Sequence, residues 1–215
     1  IVEYIMAVSP IGIASLMATM VSTISGATMK EVVSFIIMDY GCGITILLIV
    51  YPLLIKLLAR VPVISFMKKI SEPMIVAVTT TSSAATLPIS IKVAGEKLGV
   101  PENIYGFTLP LGNTCGMNGF AMFIGLWCIF ASNLYVMPVT GASLAKFIFL
   151  GIILSVGAAG VKGAGIVMST VLLEAIGMPL TLIPILAAIW PAIDPIHTLM
   201  NNTSDLVGTM LIARQ

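Results

Sequence analysis

Thr79-Thr80-Thr81-Ser82-Ser83-Ala84-Ala85-Thr86-Leu87-Pro88 is the stretch on which the fold turns. A continuous helix through it would carry poor helix formers at its centre. Its apolar arms, each of about nine residues, are too short to cross a bilayer separately at ~1.5 Å of rise per residue. They can enter and return on one side as a re-entrant hairpin. A second run, Ser155-Val156-Gly157-Ala158-Ala159-Gly160-Val161-Lys162-Gly163-Ala164-Gly165, repeats the design. A bilayer tolerates broken backbone only where protein or a water-filled cavity satisfies the freed N–H and C=O groups. Two such interruptions in one membrane chain point to a binding site near the midplane.

Composition agrees. Of 215 residues, 59% are hydrophobic and only 9% charged, with a mean hydropathy of +1.13. A soluble core does not need so little charge. Residues 103–145 contain no Lys, Arg, Asp, Glu or His, more than enough for a spanning helix of ~20 residues. The chain therefore reads as an all-α, multi-pass integral membrane protein. A net charge of +1 and the lack of a basic, aromatic-lined patch exclude a nucleic-acid partner. Cys42, Cys115 and Cys128 have neither metal-ligand nor CxxC spacing and read as small buried hydrophobes. No GxSxG, HExxH or P-loop occurs, so neither an enzyme nor an ATP-driven pump has support. The sequence opens at Ile1 without a signal-peptide n-region, and a preceding part is expected.

The apolar segments order themselves between charged punctuation. Residues 4–25, with Pro10 inside, form one segment, ended by Gly26 and Lys30-Glu31. A helix over 31–60 follows, closed by Lys56 and Arg60, then the first hairpin over 64–97. A long helix over 100–133 should be unwound in its middle, where Pro110-Leu111-Gly112-Asn113-Thr114 and Gly116-Met117-Asn118-Gly119 are poor helix. The second hairpin covers 142–176, and an amphipathic helix over 178–215 buries Asp194, His197 and Asp205. Lys56, Arg60, Lys68, Lys69, Lys92, Lys97 and Arg214 collect on one side, against Lys30, Lys146 and Lys162 on the other. That asymmetry places the first hairpin's base and the C-terminus in the cytoplasm, and the two hairpins then open from opposite faces.

Asp194 and Asp205 lie eleven residues apart, or 1100° at ~100° per residue, so they face within ~20° of each other. His197, Thr198 and Asn201 lie on or beside that stripe. An ionisable group at a helix centre costs at least ~2.5 kcal/mol in lipid, so a cavity or an ion partner is expected there. Trp127 and Trp190 read as packing residues.

The motifs Ser82–Pro88, Leu98–Thr114, Ser155–Gly165 and Asp194–Asp205, in that order and spacing, resemble the C-terminal half of the dicarboxylate/amino acid:cation symporter family, which includes the glutamate transporters. The resemblance covers nearly the whole chain. It implies a glutamate-transporter-like transport domain over 26–215, with residues 1–25 as a scaffold-type helix, and a trimer in the plasma (inner) membrane among lipid. It implies a small amino-acid substrate held by Ser82, Ser83, Thr114, Val161, Gly163, Asp194, His197, Thr198 and Asn201. Asp194 would hold the substrate's ammonium, a charge-assisted bond, and the hairpin tips its carboxylate, near half-helix N-termini. Sodium, as coupling ion and with no covalent cofactor, would use Gly112, Thr114, Gly116, Met117, Asn118, Ser155, Val156, Ala158, Asn201 and Asp205, hard oxygens with one carboxylate.

Two departures bear on function. The family's seventh-helix motif reads Asn-Met-Asp-Gly-Thr; here it is Gly116-Met117-Asn118-Gly119-Phe120, which weakens at least one cation site. Acidic-substrate members carry Arg where His197 stands, and His lacks the bidentate fork. The expectation is a cation-coupled, alternating-access symporter for a neutral rather than acidic amino acid. The alternatives are a dicarboxylate or acidic amino acid symporter using His197, and an uncoupled ion-conducting or non-transporting fragment. Lys162, at the second tip, either snorkels to the interface or takes part in gating.

Overall fold

A computed structural model describes residues 25–158 and 163–215, with residues 11, 12, 14, 15, 18 and 22 before them. Most of the segment 1–25, and the tip residues Val161 and Lys162, lie outside the described residues. All regular structure among the described residues is helical. Among the described residues three stretches are long and apolar enough to cross a membrane: Thr28–Ala59, Glu102–Leu134 and Leu180–Ile212.

The first stretch opens with α1 (Gly26–Thr45), whose start is five residues earlier than the sequence predicts. Ser25 makes the difference: its hydroxyl accepts from the Thr28 N–H at 3.2 Å, so Gly26 to Lys30 join the helix. Beyond Thr45 the helix widens into a π-turn (Ile46–Val50), narrows to α2 (Tyr51–Leu54) and widens again (Ile55–Ala59). Pro52 has no N–H to continue an ordinary ladder, which accounts for a disturbance at this point. Arg60, in the left-handed region at φ 54°, ends the stretch, and Pro62 prevents its continuation. Its buried residues from Asp39 onward recur every fourth position: Asp39, Gly43, Leu47, Tyr51, Ile55 and Ala59.

Two helix pairs follow the pattern of the interrupted segments. After α3 (Val63–Lys69), α4 (Ser71–Thr80) and α5 (Ser83–Glu96) form the first pair. Thr81 turns the chain with φ 49°, and the Ser82 hydroxyl caps α5 by accepting from the Ala85 N–H at 3.3 Å. At the other end Lys97 Nζ meets the Glu72 carboxylate at 2.7 Å, holding that carboxyl below its ordinary range. The second pair is α8 (Gly141–Gly157) and α9 (Ala164–Ile176). Thr140 and Ser143 make a reciprocal capping box at its start. Gly163 takes φ 83°, open to glycine at no steric cost, just before α9. Here too a lysine closes the base: Lys146 Nζ donates to the Ala175 carbonyl at 2.8 Å.

Between the pairs run α6 (Glu102–Cys115) and α7 (Asn118–Leu134). The break is narrower than the sequence predicts. Pro110 to Thr114 remain helical, and only Gly116 and Met117 depart, at ψ 44° and 60°. α10 (Ile183–Ile212) follows a short 3-10 turn and packs against α1, α4, α5, α6, α7 and α9.

α10 threads two apolar clusters. Its first half joins Phe35, Phe120, Phe123, Trp127, Leu172 and Leu173. Its second half joins Leu47, Tyr51, Ile55, Phe66, Ile70 and Leu109. In lipid, helix association rests on close packing rather than on expulsion of water, and small residues permit it. Gly43 lies against Ile196 and Met200, and Gly119 against the backbone of His197. A Cβ on Gly119 would sit 2.6 Å from the His197 Cα and carbonyl, neither of which can move aside. Gly119→Ala should therefore lower stability by about 1–3 kcal/mol, read as a fall in the thermal unfolding midpoint in detergent; an unchanged midpoint would contradict this packing.

Candidate functional site

The polar stripe of α10 emerges where the two apolar clusters meet. There Asp194, His197, Thr198 and Asn201 line an open cleft. Ser83 and Thr81 reach it from the first helix pair, Ala158 and Gly163 to Gly165 from the second, and Met117 and Phe120 from the α6–α7 break. Trp190 closes one wall. Both interrupted motifs and the mid-helix break thus arrive at one place, although they lie far apart in sequence.

Each side chain is held for a local reason. Ser83 Oγ accepts from Asn202 Nδ2 at 3.1 Å, and the same nitrogen donates to the Thr198 carbonyl at 2.8 Å. α7 starts without a cap of its own, and Asn201 supplies one from α10: its Oδ1 accepts from the Gly119 N–H at 2.7 Å, while its Nδ2 lies 3.2 Å from Met117 Sδ. Gly165 permits α9 to begin directly against the Trp190 ring, which any Cβ there would strike. Phe120 stacks on Phe123 at 5.6 Å and meets Trp190 edge-on at 6.4 Å. The large side chain that replaces a hydroxyl in the altered motif has become part of an aromatic wall.

His197 has a partner that sequence reading missed. Both Asp39 carboxylate oxygens lie 2.9 Å from His197 Nε2, with Asp39 fully buried and His197 2% exposed. A carboxylate only accepts, so Nε2–H is the donor. The imidazole is also flanked by Phe123 and Trp190, at centroid distances of 5.4 and 5.8 Å. One signal was present: Asp39 is the lone charge between Glu31 and Lys56 in an otherwise apolar segment, where a carboxylate needs a partner.

The residues assigned to sodium separate into groups. Asp205 lines a different cavity, with Gly112, Gly116 and Asn118. Its carboxylate lies against the Cα positions of Gly112 and Gly116, where any Cβ would collide with it. Among the described residues no hydrogen-bond donor is seen on this carboxylate. Thr114 lines neither cavity; it is exposed and its hydroxyl donates to the Pro110 carbonyl at 2.9 Å. Ser155 likewise donates to its own helix, at Ile152, and the Val156 side chain is 52% exposed. Ser82 serves as the α5 cap. Among the described residues no group of three or more His, Cys, Asp or Glu could bind a metal, so any cation here relies on few side chains.

These long apolar helices, with their breaks brought to one polar cleft, define an integral membrane protein. The chain belongs to the sodium:dicarboxylate symporter family, whose model matches residues 1–215. It is 30% identical over 216 residues to a putative sodium-dependent excitatory amino acid transporter, glt-4, of Caenorhabditis elegans, covering 100% of this chain and 43% of that protein. It is 30% identical over 217 residues to human excitatory amino acid transporter 2, covering 99% and 37%. It is 33% identical over 165 residues to the neutral amino acid transporter B(0) of Rattus norvegicus, covering 77% and 30%. The chain spans less than half the length of these relatives. Family and relatives are transporters, not enzymes.

Proposed function

We propose that this chain forms the substrate-carrying part of a sodium-coupled symporter for a neutral amino acid. The observation that carries this reading is the cleft itself, where Ser83 of α5, Met117 of the α6–α7 break, Ala158 and Gly163 beside the second tip, and Asp194 and Asn201 of α10 gather. The helix pairs α4–α5 and α8–α9 act as re-entrant hairpins from opposite faces, in a transport domain spanning 26–215. Residues 1–25 belong to a trimeric scaffold in the plasma membrane, and the C-terminus is cytoplasmic. Asp194 binds the substrate ammonium, and the hairpin tips bind its carboxylate. Sodium binds at Asp205 with carbonyls near Gly112 and Gly116. Ion and substrate together order the second hairpin, so that the domain crosses only when fully loaded or empty.

Asp39 supports the neutral substrate over the acidic one. His197 could replace Arg only as a free cation, and its Nε2 is already committed to a carboxylate. Among the described residues lining the cleft there is no Lys or Arg, while Asp194 stands three residues from His197. A side-chain carboxylate buried there without a partner would lose several kcal/mol, on the order of a thousandfold in affinity. The test is uptake into liposomes, with and without an inward sodium gradient, with competition by serine, alanine, cysteine, glutamate and aspartate at pH 7.5. Sodium-driven uptake blocked by the neutral amino acids is expected; tight competition by aspartate would overturn the neutral reading.

A further inference from the structure

Two of the stretches long enough to span end at one pocket. Arg60 directly follows Thr28–Ala59, and Arg214 stands two residues beyond Leu180–Ile212; both line this pocket, with Leu57, Leu58 and Ala59. At ~1.5 Å of rise per residue, each arginine is rooted within one turn of the end of an apolar span, where hydrocarbon gives way to headgroups. Neither guanidinium has a hydrogen-bond or ion-pair partner among the described residues. No Asp or Glu lies between Asp39 and Glu72 or between Asp205 and Gln215, whereas Lys56, Lys68 and Lys69 lie in the first of these intervals. The backbone at Arg60 is unusual as well. A left-handed residue after a helix is commonly glycine, because a Cβ is strained there, yet Arg60 holds φ 54°. It follows the widened turn Ile55–Ala59, and such turns recur at functional sites. Ending the helix does not require a guanidinium at this position. Leu57 and Leu58, one and two residues deeper than Ala59, are exposed, so apolar surface adjoins the charged surface on its bilayer side.

We propose that Arg60 and Arg214 hold the phosphate of an anionic phospholipid whose acyl chains lie against Leu57 and Leu58. A planar guanidinium meets phosphate oxygens through paired N–H donors, and two arginines from different helices share one anion. Basic pockets between spanning helices take lipid headgroups in this way. A free phosphate would use the arginines and leave the leucines uncovered, whereas a phospholipid matches both parts of the pocket at the depth where each stands. The lipid would also tie the end of the first long helix to the end of α10. This site lies apart from the polar cleft, and the proposal does not depend on which substrate the cleft takes.

The experiment follows the thermal unfolding midpoint of the natural-length protein, purified in detergent, at ~150 mM salt, where diffuse attraction is screened. Dioleoyl phosphatidylglycerol, dioleoyl phosphatidylcholine and inorganic phosphate are titrated in separately. Phosphatidylglycerol should stabilise at concentrations at least about tenfold lower than phosphatidylcholine with the same chains, and phosphate alone should not. Arg60→Gly and Arg214→Gln should each weaken the phosphatidylglycerol response about fivefold, and the double variant should approach the phosphatidylcholine value. Arg60→Gly relieves the left-handed residue, so its lipid-free midpoint should hold or rise while its lipid response falls, which a structural role would not produce. Arg214→Gln carries the same test if Arg60→Gly does not fold. Lys97→Gln removes an exposed cation at the base of the first helix pair and should leave the response within about twofold. Equal response of the wild type to the two lipids overturns the site, as does an unchanged response in the double variant. A loss in Lys97→Gln as large as in Arg214→Gln overturns it in favour of diffuse attraction, and a phosphate effect equal to that of phosphatidylglycerol overturns it in favour of a bare anion site.

Discussion

Asp205→Asn is expected to abolish sodium-dependent thermal stabilisation while leaving the sodium-free unfolding midpoint nearly unchanged. The carboxylate is partly buried, has no donor on it among the described residues, and rests against two glycines whose missing side chains open the backbone of the α6–α7 break. A small hard cation would find one anionic oxygen and nearby carbonyls there. Asparagine keeps the shape and one oxygen but removes the charge. Losing one partner of a desolvated charge pair costs about 2–5 kcal/mol, so sodium affinity should fall on the order of a hundredfold or more. The measurement is a sodium titration of the unfolding midpoint at constant ionic strength. An unchanged titration curve in Asp205→Asn would remove Asp205 from the cation site.

Asp194→Ala should reduce amino-acid uptake on the order of a hundredfold, by the same desolvated-pair argument applied to the substrate ammonium. Asp194 is 8% exposed, on the stripe that faces the cleft. The decisive comparison is between an amino acid and its analogue without the amino group. The analogue should lose far less, because it never used the contact. Equal losses for both would mean that Asp194 serves the fold rather than the ammonium.

Much of this arrangement was legible because it is written in local chemistry. Gly116-Met117 lies in a run read as poor helix and does break the helix, a signal that needs only neighbouring residues to act; Ser82, read as a substrate residue, proves to cap α5. The stripe Asp194, His197, Thr198 and Asn201 follows from helical spacing, and these four do share the cleft. Asp205 shares their direction but not their cavity. Eleven residues along a helix is ~16 Å of rise, and a long helix can pass two cavities on one face. Spacing gives an angle, not a depth. Thr114 and Ser155 show another limit: each hydroxyl bonds its own helix, a choice of rotamer that composition does not reveal. Asp39 escaped because its partner lies on the far side of the chain, and no periodicity marks a lone carboxylate.

The every-fourth-residue line on the first long helix has a consequence for how that helix meets α10. In an ordinary α-helix such a line drifts by ~40° per step. A repeat longer than 3.6 residues normally makes two helices wind around each other with right-handed twist. Here the line stays buried over several turns and meets one short part of α10: Asp39 meets His197, Gly43 meets Ile196 and Met200, and Tyr51 Oη donates to the Met200 carbonyl. The two widened turns, at Ile46–Val50 and Ile55–Ala59, advance less per residue and take up the mismatch locally. The single buried line therefore runs from the regular turns that carry Asp39 to His197 straight through both irregular ones, which begin seven residues further along the chain.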